Sequence, residues 1–78
     1  MKKAEKNQII VGAFYNARYG VSPTATRGAV EGYASRHQLR GAEYIRALEN
    51  AIAEGLVVPM ADAALSIRNV GREMLLKR

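Results

Sequence analysis

A chain of 78 residues can build one hydrophobic core and little more, and a domain of this size buries only about 60% of the surface its unfolded form exposes. With 49% hydrophobic residues the composition lies above that of disordered chains, and the absence of cysteine excludes disulfides and thiolate metal sites. Twelve Lys and Arg against seven Asp and Glu leave a net charge of +5, which favours polyanionic partners by simple electrostatics.

The chain opens MKKAEKNQIIVGAF. Its basic start resembles a secretory signal, but the apolar stretch is short and no cleavage site follows, so it reads as a helix of the mature protein. No apolar run approaches the roughly 20 residues that span a bilayer, so a soluble, cytoplasmic protein of one domain over residues 1–78 is expected, with no membrane partner. Ile9, Ile10, Ala13, Phe14 and Ala17 recur at helical spacing with Lys6, Asn7, Gln8 and Asn16 opposite, which predicts a first helix over 4–18 ended by Gly20. In GVSPTATRG, Ser22 reads as an N-cap with Pro23 at the first helical position, predicting a second helix over 23–35. Gly28 and Gly32 cost that helix about 1 kcal/mol each against alanine. Their plain reading is close helix packing, and a partly irregular segment is the other.

After the connector RHQLRG, the stretch AEYIRALENAIAEG puts Tyr44, Ile45, Leu48, Ala51 and Ile52 on one face and predicts a third helix over 41–54, stopped at Gly55. Leu56, Val57 and Val58 read as a strand, residues 59–63 as a turn and residues 64–67 as the returning strand, a hairpin over 56–67 with Pro59 at its edge or tip. From Asn69 a last helix over 69–77 places Val70, Met74 and Leu75 inward and Arg72, Lys77 and Arg78 outward. The expected fold is mainly α with a small antiparallel β-hairpin, in the order α-α-α-β-β-α. Because a two-stranded hairpin is not stable alone, it must share the helices' core.

Chemistry-bearing residues are sparse. Glu31, Glu43, Glu49, Glu54 and Asp62 have no His or Lys partner at a spacing that would tune a general acid or base. Ser22, Ser35 and Ser66 lack a nucleophile-elbow context, and no glycine-rich loop joins a strand to a helix in the order that cradles phosphate. Neither an enzyme, a metal site nor a cofactor is expected. Tyr15, Tyr19, Tyr33 and Tyr44 read as core and core-edge packing rather than base-stacking platforms, with Tyr19 the most exposed. The termini MKK and LLKR read equally as phosphate-gripping arms and as solvated ends.

Two stretches resemble the winged helix-turn-helix superfamily. YIRALENAIAEGLV is similar to a recognition helix running into the first wing strand, and in IRNVGREML the residues Ile67, Gly71 and Leu75 match the wing's exit, with Arg68 where the family carries Thr and Asn69 able to cap in its place. The resemblance implies a double-stranded DNA binder that regulates transcription and docks the 41–54 helix in the major groove, and the small contact area of one such module makes a homodimer the expected form. It implies Arg40, Glu43, Arg46 and Asn50 as base-reading candidates on an outer face that also carries Ala47, with Arg46 suited to guanine and Asn50 to adenine. Arg27, Arg36, His37 and Arg68 are the phosphate candidates; the bland reading of His37 is a solvated turn residue. Glu43, Glu49 and Glu54 on that helix, and a wing tip PMADA with no cation, supply the alternative: a winged-helix module that binds a protein partner and no DNA.

Overall fold

The computed structural model describes residues 2–76. Met1 and the expected basic end Lys77 and Arg78 lie outside the described residues. Four helices and a small antiparallel sheet share one core, but strands appear at three places where none was expected, so the order α-α-α-β-β-α does not hold.

The first helix, α1 (Lys3–Gly12), buries Ile10 and Val11 and stops six residues short of its expected end. Phe14 turns into the core, 1% exposed, and the chain reverses through β1 (Tyr15–Asn16) and β2 (Gly20–Val21). The cause is local. The Asn16 side-chain oxygen accepts from the backbone N–H of Arg18 at 2.7 Å and of Tyr19 at 3.2 Å, which competes with helix for those donors. Gly20, at φ 83°, then closes a short hairpin loop instead of ending a helix.

The second correction is tertiary. Residues 24–26, expected inside a helix, form β3 (Thr24–Thr26), which pairs antiparallel with β5 (Ala64–Ile67) through Thr24↔Ser66, Ala25↔Leu65 and Thr26↔Ala64. The other edge of β5 is covered by β4 (Val57–Pro59), giving the sheet order β3-β5-β4. A Thr-Ala-Thr segment with β-branched residues on its outer face fits an edge strand, and pairing there overrides the capping signal at Ser22 and Pro23. The helix α2 (Arg27–Arg36) starts only after Thr26, whose side-chain oxygen accepts from the Ala29 N–H at 3.0 Å. Gly28 and Gly32 are exposed, with nothing within 4 Å of where a Cβ would stand, so they do not admit a packed neighbour.

The helix α3 (Ala42–Ala53) differs from expectation by one residue at each end. Both α2 and α3 end in the same way. Gln38 at φ 68° and Gly55 at φ 76° take the left-handed position, and the next residue, Leu39 or Leu56, bonds back to Ala34 or Ala51 while its side chain is buried. The last helix, α4 (Asn69–Leu76), closes its first turn with the Arg72 N–H on the Arg68 carbonyl at 2.9 Å, so Arg68 rather than Asn69 holds the cap position. The core joins Ile10 and Phe14 to Val30, Leu48, Leu65 and Leu75.

Candidate nucleic-acid interface

The faces of α3 follow from its buried stripe. Tyr44, Ala47, Leu48 and Ala51 are buried, and at 3.6 residues per turn Arg46 and Glu49 point away from them while Asn50 stands on the border with the α1 side. Two expected assignments are exchanged. Ala47, expected outside, is 1% exposed, and Ile45, expected in the core, is 56% exposed. Hydrophobicity alone favours Ile45 for the interior, but α1 packs on the Ala47 side of α3, where a small side chain lets the two backbones approach.

The same packing sorts the carboxylates. Glu43 lies 3.9 Å from the Lys6 ammonium, and Glu54 lies 2.6 Å from the Lys3 ammonium while accepting from the Asn7 amide at 3.3 Å. As exposed pairs these contribute little stability. Their consequence is positional, since of the three acids in α3 and at its C-cap, two are turned toward cations of α1. Glu43 is therefore placed on the α1 flank, and only Glu49 shares the outer face with Arg46.

Around the N-terminus of α3 the turn residues Arg36, His37, Gln38 and Arg40 are all exposed. Tyr33 gathers two of them: the His37 ring stacks on it at 4.5 Å and the Arg36 guanidinium sits 5.9 Å from its centroid. Gly41, at φ 65° and ψ −139°, takes a conformation open to glycine alone and so sets the direction in which α3 leaves the turn.

The other two phosphate candidates stand apart from this cluster. Arg27 is the first residue of α2, its N–H donating to the Ala63 carbonyl at 2.8 Å. Through that bond the hairpin turn, with Asp62 and Ala63 both at positive φ, docks on α2 instead of projecting freely. Arg68 lies at the far end of the hairpin and lines an open groove of about 600 Å³ with Ile52, Val58 and Val70. Among the described residues no three His, Cys, Asp or Glu side chains come together as metal ligands, and no helix is long and apolar enough to cross a membrane.

Tyr44 carries a buried hydroxyl with no hydrogen-bond partner. Burial raises its pKa above the ordinary 10, the Glu31 carboxylate adds to the rise and Arg27 opposes it. A tyrosine whose folded-state pKa is raised adds stability that is fully present below pH 10 and is lost as the pH climbs through the folded value. Tyr44→Phe is expected to flatten that alkaline fall and to leave stability at pH 7 unchanged or higher, because it removes an unsatisfied polar group. Urea unfolding at several pH values between neutrality and the alkaline limit measures both effects.

Sequence reasoning missed β3 and the residue 15–21 hairpin. The signals were present as the alternation of TAT and the Asn16 and Gly20 turn residues. No protein-family model, curated protein or solved structure matches the chain, so the reading of this surface rests on its own geometry.

Proposed function

We propose that this is a winged-helix protein that binds double-stranded DNA through the outer face of α3, acting as a homodimeric regulator of transcription. The observation that carries the reading is the sorting of charge: Glu43 and Glu54 are turned to the α1 lysines, while Arg46 and Asn50 are exposed on α3, as are Arg36, His37 and Arg40 ahead of it. In this reading Arg46 meets a guanine edge and Asn50 an adenine edge, and Arg36 and His37 grip phosphates that set the register. The sheet supports it mechanically. β3 precedes α2 and the hairpin follows α3, so pairing of β3 with β5 clamps α2, the turn and α3 into one unit. A single module of this size buries only about 600–1,000 Å² on DNA, which is the reason for two copies on two half-sites.

The groove of Ile52, Val58 and Val70, together with the exposed Ile45, favours a second reading, in which this side of the domain covers an apolar protein surface. Fluorescence anisotropy of a labelled random duplex over a range of salt concentrations separates the two. The DNA reading expects binding that weakens with a log–log slope of about −4, the value for four or five phosphates neutralised. No binding at low salt leaves the protein-partner reading.

A further inference from the structure

The hairpin of residues 15–21 is not used by the α3 surface, and it is the least expected part of the fold. Tyr15 is 48% exposed and Tyr19 80% exposed, with the exposed Arg18 between them. Such faces in water on a floppy loop would be unremarkable, but this loop is held. Its strands pair Tyr15↔Val21 and Asn16↔Gly20, the Asn16 oxygen takes the N–H groups of Arg18 and Tyr19, and the Ser22 N–H donates to the Phe14 carbonyl at 2.6 Å. Phe14 beneath it is buried and Val21 packs against the core. A tip fixed in this way loses little conformational entropy when it engages a partner.

The charge around it narrows the partner. Between Glu5 and Glu31 the chain contains no acid, and Arg18 has no ion-pair partner among the described residues. Two flat amphipathic rings flanking an unneutralised guanidinium suit a ligand that alternates anionic groups with planar ones. Stacked bases inside a duplex do not offer their faces, whereas a single strand does. We infer that the residue 15–21 hairpin is a binding site for single-stranded nucleic acid, with Tyr19 and Tyr15 stacking on bases and Arg18 taking the intervening phosphate. β3 leads from this hairpin into the sheet at the Ser66 end of β5, whereas the turn that touches α2 is at the Ala64 end.

The test is a titration of the whole chain with labelled oligothymidylate of about 15 nucleotides, a length within the footprint of small single-strand binders. The chain has four tyrosines and no tryptophan, so stacking also reads directly as quenching of tyrosine emission. Wild type is expected to bind with quenching, Tyr19→Ala to weaken binding by about 5- to 150-fold, the range supplied by one base–aromatic stack, and Tyr19→Phe to keep the affinity while losing part of the quench. Loss of affinity and of the quench in Tyr19→Ala reads the hairpin itself, so the site stands even if duplex binding fails. Absence of binding at low salt overturns the inference, and so does a Tyr19→Ala protein that binds as wild type, which would leave the tip to a protein surface. Tyr19 is exposed enough that its variants keep the fold.

Discussion

Gly71→Ala is expected to lower stability by about 2–3 kcal/mol, whereas Gly28→Ala and Gly32→Ala are each expected to raise it by about 0.5–1 kcal/mol, although all three are the same change inside a helix. The propensity gain is common to all three, about 1 kcal/mol in favour of alanine. What differs is the space. A Cβ on Gly28 or Gly32 meets nothing within 4 Å, but one on Gly71 would stand 2.6 Å from the Leu56 carbonyl oxygen, 3.1 Å from Ile67 and 3.2 Å from Val11. That carbonyl belongs to backbone and cannot swing aside; it also accepts the Arg68 N–H at 2.8 Å, the bond that seats the start of α4 on the hairpin. Alanine at position 71 therefore has to lift α4 from both the sheet and α1. A chain of 78 residues has a total stability of about 4–12 kcal/mol, so the loss takes a large share of it. Thermal unfolding should show Gly71→Ala melting about 10–20 °C below wild type and the α2 variants melting a few degrees above it. A Gly71→Ala protein as stable as wild type would mean that α4 does not pack as described.

The parts of the fold that were legible in the sequence are those where local pattern and tertiary demand agree. In α3 the helical period and the Gly55 stop give the element, and Tyr44, Leu48 and Ala51 fall on the buried stripe as expected, while the β4–β5 hairpin follows from an apolar run, a Pro-bearing turn and a second short run. The early end of α1 is set locally by Asn16, a turn signal outweighed in the sequence by the apolar period, whereas the late start of α2 was not legible because its determinant is elsewhere. A segment that could cap a helix at Ser22 becomes strand because β5, near the other end of the chain, has an edge to fill. The candidate site divides along the same line. Exposure of Arg46 and Asn50 follows from helical period, but the exchange of Ile45 and Ala47 depends on how closely α1 approaches, and the pairing of Glu43 and Glu54 with Lys6 and Lys3 joins residues far apart in sequence. Of the three carboxylates that weigh against DNA on the sequence, tertiary contacts turn Glu43 and Glu54 toward α1 and leave Glu49 on the outer face.

Arg46→Ala is expected to weaken binding to a duplex selected from a random pool by about 5- to 150-fold, the discrimination that one bidentate base contact supplies. Arg46 is exposed, makes no ion pair among the described residues and lies opposite the buried stripe of α3, so its loss should change stability by no more than about 0.5 kcal/mol. A fall in affinity is then a lost contact and not a lost fold, which equal melting temperatures would verify. Arg46→Lys should not restore binding, because an ammonium cannot present two parallel donors to the guanine edge. Arg36→Ala acts through phosphate and should behave differently, weakening all sequences alike and reducing the salt slope by about 1 for each copy bound. This split is the strongest check on the docking. If Arg46→Ala behaves like Arg36→Ala, α3 lies along the backbone and not in the groove. If it has no effect on a selected duplex, the outer face of α3 does not meet DNA, and the open groove of Ile52, Val58, Arg68 and Val70 becomes the surface to pursue.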